Sequence, residues 1–426
     1  MKSIPETIEA IPIYTKVSGG TIQDEVVGYC KDMEILYPQF FVPIFLSSFA
    51  CHIANLRNKV LPEDRQVYPN RATFPIFYEH GRAKDLRLHI LFVSPPGFMK
   101  TFTIEGFLHN EYGFIANCGF PTRFENIVTE AGLVGSAYHT NQGIVIQEGL
   151  ASKYKNAIIG FEEISSIMKQ RTAEYNINLI NALLPILDTG KVHKKLVNCE
   201  IGYQTYITVW GGNQPEMVNN ISGMMRRFLI LLYVPDSGDI RKFTESKMKG
   251  INVKPKWEVM EIIRNVIKEF YLSIPLQYVY FSDEVNRKLT ELKVPHFDWD
   301  IFKKFIFGYN LINNYDWWGG EHELTDHIYV SFLPGGQLEK ILELLVRMRY
   351  QAIMGDTWKD MLALFNKNYE YTLTEFRETL CKVCHLPWRR ISDIIKDLKI
   401  KGYIRIEKRH KGDSTKPISI VNISRG

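Results

Sequence analysis

The chain has 426 residues, 45% hydrophobic and 23% charged, which allows two to four domains of about 150 residues and excludes disordered, collagenous and coiled-coil classes. Six cysteines are too sparse for a disulfide framework, and the longest strongly apolar stretch, Phe40 to Ile53, falls short of the roughly 20 residues of a membrane span. With no apolar core behind the basic start Met-Lys-Ser, the expectation is a cytoplasmic protein without a membrane partner.

Charge is uneven along the chain. Residues 382–416 carry eleven Lys or Arg against four Asp or Glu, a net +7, so the rest of a chain of net charge +5 sums to −2. A cationic patch on a near-neutral protein is the footprint of a phosphate-backbone partner, although a solvated Lys-rich helix face has the same composition. Cys381 and Cys384, with only His385 beside them, lack the further ligands that zinc requires, so packing within a helix is expected of them.

In chain order, residues 1–74 form a lead in which Ile35 to Arg57 is predicted helical. Leu86 to Val93 alternates and then turns fully apolar, as a strand entering a covered sheet does. It runs into Ser94-Pro95-Pro96-Gly97-Phe98-Met99-Lys100-Thr101, ahead of the helix-compatible Phe102 to Asn110. Strand, loop and helix in this order suit phosphate, because backbone N–H groups and a helix N-terminus face the anion, a lysine reaches the β- and γ-phosphates and a hydroxyl holds Mg²⁺. Ser94 and Met99 replace the two glycines of G-x-x-x-x-G-K-[ST], so this segment by itself also fits a strand closing on a Pro-Gly turn.

A second apolar strand, Ala157 to Phe161, ends in Glu162-Glu163. Carboxylates at the C-terminal end of a buried parallel strand stand where such sheets bind ligands, and here one suits Mg²⁺ and the other an attacking water. An acidic helix start is the bland alternative. A third strand, Thr205 to Trp210, runs into Gly211-Gly212-Asn213-Gln214-Pro215, where an amide can position that water. Arg226-Arg227 then precedes a fourth apolar strand, Phe228 to Val234, either as a solvated strand start or as a charge-stabilising finger toward a neighbouring subunit.

This order resembles an AAA+ ATPase, and most closely the ATPase module of the minichromosome maintenance (MCM) helicases. Ala131-Gly132-Leu133-Val134 through Gly143 and Glu148-Gly149-Leu150 look like that family's A-G-L…G…E-[AG] segment, which carries the helix-2 insert. Ile158 to Glu163 is similar to its acidic strand, Gly211 to Pro215 to its A-G-N-P, Met224 to Phe228 to its L-L-S-R-F, and Gln337 to Arg349 to its lid helix. The likeness spans about residues 75 to 355. It implies an α/β AAA+ core with a P-loop parallel sheet over residues 75–250, a helical lid over 251–356 and a winged-helix DNA-binding domain over 357–426.

The tail supports the last of these independently. Leu373 to Val383 and Pro387 to Ile400 read as helices, and Tyr403 to Glu407 and Ile418 to Ile420 as strands around a basic tip. Arg389, Arg390, Lys408, Arg409 and Lys411 are the candidate DNA contacts there. Between Glu163 and Asn213, the segment Asp188 to Leu196 matches the family's pre-sensor hairpin, which touches DNA in a ring's pore and makes Lys191, Lys194 and Lys195 further candidates.

The sequence departs from the family where an N-terminal single-strand-binding domain is missing, where Glu162 replaces Asp, and where Gly336 replaces the lid arginine, leaving Arg347 or Arg349 to substitute. The resemblance implies a homo-hexameric, ATP-driven DNA helicase or translocase acting in replication on single- and double-stranded DNA, in a compact form that suits a mobile element. Ser94 to Thr101 and Glu162 would hold Mg-ATP, with Thr101 and Glu162 on Mg²⁺. Glu163 and Asn213 would prepare water and Arg227 would act in trans. The rival is an ATP-switched origin-recognition or regulatory protein that binds DNA without unwinding it.

Overall fold

Apolar runs in this chain pair into one parallel sheet, and the segments between them supply its covering helices. The computed structural model describes residues 21–60, 78–79, 82–83, 85–164 (except 99, 117, 119, 127 and 142), 174–195, 199–214, 226–233, 237–273 (except 251, 252 and 255), 278–313, 327–331, 334–354, 371–384, 391, 395, 404–406 and 417–420. It divides into two units, residues 1–349 and 350–426.

Helices α1 (Ile22–Asp32) and α2 (Pro38–Val60) come first, then the paired strands β1 (Tyr78–Glu79) and β2 (Arg82–Ala83). They are followed by β3 (His89–Val93), α3 (Lys100–Leu108), β4 (Thr122–Glu125), α4 (Glu130–Val134) and a hairpin of β5 (Gly135–Thr140) and β6 (Gly143–Glu148). Next are α5 (Leu150–Lys153), β7 (Ile158–Phe161), α6 (Glu174–Asp188), a hairpin of β8 (Lys191–Lys195) and β9 (Glu200–Gln204), β10 (Thr208–Asn213) and β11 (Phe228–Leu232). Helices α7 (Ser237–Gly250) and α8 (Trp257–Ser273), strand β12 (Tyr278–Phe281), α9 (Asp283–Glu291), α10 (Trp299–Asn313), β13 (His327–Val330) and α11 (Gln337–Met354) complete the run to the unit boundary. The second unit holds β14 (Tyr371–Thr372), α12 (Leu373–Cys384), β15 (Ile404–Ile406) and β16 (Pro417–Ile420), whose strands form an antiparallel sheet in the order β14-β16-β15.

The central sheet has five parallel strands in the order β11-β3-β10-β7-β4. The predicted strands at residues 86–93, 157–161, 205–210 and 228–234 all enter it, so the chain is α/β. β10 runs on to Asn213 because Gly211 and Gly212 continue the ladder. A Cβ on Gly212 would collide with the Glu162 carbonyl, so only glycine lets these two strand ends approach so closely.

One sheet face packs on α2 and α3. Phe45 of α2 and Phe107 of α3 lie 4.8 and 5.9 Å from Trp210 of β10, ring centre to ring centre. Burial of each such side chain contributes about 1.5–3 kcal/mol. On the other face, Ile164 packs where a Cβ on Gly211 would sit, and the end of α6 meets Arg87 and His89.

Helix α2 starts on Pro38, whose fixed φ suits a first turn. Its window Pro38–Leu56 is long and apolar enough to cross a membrane, yet 89% of it is buried within the fold. Ser48 of this helix accepts from Trp210 Nε1 at 2.7 Å and donates to the Leu88 carbonyl at 2.5 Å, which fixes the helix over β3 and β10.

Candidate functional site

The loop after β3 is built for its turn. The buried Ser94 donates its N–H to the Asn213 carbonyl at 3.1 Å, Gly97 takes φ +83°, and Ser94 Oγ donates to the Phe98 carbonyl at 3.1 Å. That positive φ is the reason a glycine stands there. The chain then enters α3 with Lys100 as its first residue.

Lys100 is 9% exposed. Its ammonium donates to the Ser94 carbonyl at 2.5 Å and to the Pro95 carbonyl at 3.3 Å. Burial holds its pKa below the usual lysine value, and the charges of Glu163 and Glu162 offset part of that. Thr101 Oγ1 lies 3.4 Å from Glu162 Oε1. Loop residues 96–98, helix residues Lys100, Thr101 and Phe102, Glu162 and Glu163 beyond β7, and Gln214 beyond β10 together line a cleft of about 360 Å³.

Strand order explains the gathering. β10 lies between β3 and β7, with Asn213 level with Val93 and Gly211 level with Phe161. The loop after β3, the carboxylates and the Asn213-Gln214 turn therefore emerge at one end of adjacent strands. Asn213 is fully buried, and among the described residues neither its amide nitrogen nor its amide oxygen has a hydrogen-bond partner. Leaving such a group unpaired costs roughly 1–3 kcal/mol, so a polar ligand or water is the natural complement. The hydroxyl and carboxylate oxygens of Thr101 and Glu162 fit the hard-oxygen preference of Mg²⁺, which takes one or two protein ligands beside phosphate oxygens.

Arg227 stands elsewhere. It precedes β11, whose first residue, Phe228, is level with His89 at the start of β3. The strand length separates it from its own chain's cleft by roughly 15 Å. Its Nε and Nη2 both bond the Asp188 carboxylate, each at 2.5 Å.

The basic segment after α6 is β8, one strand of the β8–β9 hairpin. Lys191 and Lys195 on β8 are exposed, whereas Lys194 bonds Glu130 at 3.0 Å and the Gly135 carbonyl at 3.4 Å. Lys194, one pair from the turn end of the β8–β9 hairpin, thus joins that hairpin to the base of β5–β6. Arg349, one of two stand-ins for the lid arginine, is fully buried and bonds Asp298 at 2.6 Å and the Phe228 carbonyl at 2.7 Å. It pins α11 to β11 and is not available to a nucleotide. Arg347 is exposed.

Met99, Arg389, Arg390, Lys408, Arg409 and Lys411 lie outside the described residues. Sequence reasoning missed Phe102 and Gln214 in the cleft. Phe102 follows the Lys-Thr pair directly, but nothing in a one-residue position says whether a helical phenylalanine faces core or cleft. No protein-family model matches the chain, and a search of curated proteins finds no significant relative.

Proposed function

We propose that the chain is an ATP-driven DNA translocase or helicase of the MCM-like AAA+ type, acting in DNA replication as a homo-hexamer with a C-terminal winged helix. The observation that carries the reading is the cleft, where Lys100, Thr101, Glu162 and Glu163 meet Gln214, next in the chain to Asn213, whose buried amide has no partner among the described residues.

In this reading Lys100 leaves its loop carbonyls to bond the β- and γ-phosphates. Thr101 and Glu162 would hold Mg²⁺, which supplies positive charge to the phosphate oxygens. Asn213 orients a water through its amide, and Glu163 takes that water's proton as its oxygen bonds the γ-phosphorus and the bond to the β-phosphate oxygen breaks. Arg227, standing at the far end of its own sheet, serves an adjacent subunit's site. Lys191 and Lys195 meet the DNA backbone at one surface, and the basic C-terminal unit supplies a second contact.

ATPase activity of the full chain, measured with and without single-stranded DNA, tests this. Hydrolysis that rises with DNA supports it, and absence of hydrolysis in both conditions rejects it. The burial of Arg349 favours a second reading, an ATP-switched DNA-binding protein that does not unwind, because one source of a lid arginine is committed to structure. ATP-dependent strand displacement separates the two.

A further inference from the structure

Phe102 has no role in the core of its helix. The buried residues of α3 are Lys100, Thr103, Ile104, Phe107 and Leu108, while Phe102 is 58% exposed. A lone exposed phenylalanine needs no explanation on an open surface. This one lines the cleft, immediately after the residues assigned to phosphate and Mg²⁺.

Size adds to the argument. A cleft of about 360 Å³ is at the small end of ligand sites, which run from about 300 to 1,000 Å³. Its polar groups, Lys100, Thr101 and the two glutamates, suit a triphosphate, so a nucleotide's remaining bulk must extend to the mouth. A flat ring held at that mouth offers a stacking platform, and stacking needs only the π-face that every base has. The one neutral amide lining the cleft among the described residues, Gln214, follows β10 and stands beside the carboxylate-bearing end of β7. Apart from Gln214, no described lining side chain carries the paired donor and acceptor of an amide, with which a base edge is commonly read.

We propose that Phe102 stacks on the nucleobase, making the cleft a purine-nucleoside triphosphate site selected by ring area, with little distinction between adenine and guanine. The inference rests on the nucleotide reading of the cleft.

The test is calorimetric titration of the full chain with Mg-ATP, Mg-GTP, Mg-CTP and Mg-tripolyphosphate, for the parent, Phe102→Ala and Phe102→Tyr, with circular dichroism to verify folding. The parent should bind ATP and GTP within about threefold of each other and more tightly than CTP. Phe102→Ala should lose about tenfold for ATP, equivalent to about 1.4 kcal/mol, and nothing for tripolyphosphate. Phe102→Tyr should restore ATP affinity.

Equal ATP affinity in parent and Phe102→Ala would overturn the proposal while leaving the nucleotide site standing. Equal losses for ATP and tripolyphosphate would also overturn it, because the ring would then be shaping the loop. A parent that binds neither ATP nor tripolyphosphate would remove the nucleotide reading and this inference with it.

Discussion

At the N-terminal ends of the sheet strands, Arg87 bonds Asp85 and the Ile207 and Leu187 carbonyls, His89 bonds Leu187 and Val209, and His52 bonds Thr208 and the Asn156 carbonyl. At the C-terminal ends of the same strands, Asn213 is buried without a partner among the described residues and Lys100 bonds carbonyls of its own loop. Both regions are rich in buried polar groups. In the first most of the groups are spent on one another and hold the sheet to its helices, although the buried amide nitrogen of Asn55, whose oxygen accepts from the Leu86 N–H, has no partner among the described residues. In the second the Asn213 amide is unmatched among the described residues, at the strand ends where open α/β sheets commonly bind ligands. Polar burial alone therefore does not mark a site, and lack of a partner counts toward one at Asn213 because the cleft opens at the same strand ends.

Arg227 is the sharpest challenge to that division, because it stands at the satisfied end yet is assigned a catalytic task in a neighbour. Arg227→Ala should bind ATP normally and lose roughly 10³- to 10⁵-fold in hydrolysis. Mixing it with Lys100→Ala should restore part of the rate, since one interface then combines an intact Lys100 with an intact Arg227. No recovery, in mixtures shown by light scattering to exchange subunits, would return Arg227 to a structural partner of Asp188.

Glu163→Gln comes next, with an expected loss of roughly 10²- to 10⁴-fold in hydrolysis and retained ATP binding. Lys100→Ala should instead lose ATP binding, while both keep the parent's melting temperature. A fall in stability in either variant would mean that the cleft end is also holding the fold.

Arg87→Met addresses the opposite end. It strands Asp85 and two backbone carbonyls, so unfolding should become easier by about 3 kcal/mol, with ATP affinity of the folded protein unchanged. Urea titration alongside calorimetry reads both quantities.

A smaller effect comes from pH. Burial lowers the His52 pKa to about 3 and holds His89 well below its ordinary value, so both stay neutral in the fold while the unfolded chain takes up protons below about pH 6.5. The unfolded state then binds more protons, and stability falls as pH drops below 6.5, down toward 3 for His52, by roughly 1 kcal/mol per unit while each histidine stays neutral in the fold. His52→Asn should flatten part of that slope in melts taken at pH 4 to 7. An unchanged slope would place the acid sensitivity elsewhere.

Much of the site was legible because each strand that reaches it is an apolar run ending in a polar turn, and such runs mark themselves locally. Glu162, Glu163, Asn213 and Lys100 were visible as residues, and the pairing of β10 between β3 and β7 supplied the contact among them. What stayed hidden depends on non-local packing. Strand β4, Thr-Arg-Phe-Glu, is short, half polar and at the sheet edge, so it carries no strand signal of its own. Ile144-Val145-Ile146 is an apolar run, yet these residues stand exposed on β6, which among the described residues pairs with β5 alone. Arg349 looks like any helical arginine until Asp298 and the Phe228 carbonyl close around it.

The most direct measurement is Asn213→Ala, read for hydrolysis and for unfolding free energy on the same preparation. Removing an amide that has no partner should leave stability unchanged or raise it, because an unsatisfied buried group is lost, while hydrolysis falls by roughly 10²-fold as the water loses its guide. A loss of more than about 1 kcal/mol in stability with hydrolysis intact would contradict the account, since Asn213 would then belong with His52 and Arg87 among the groups that hold the fold.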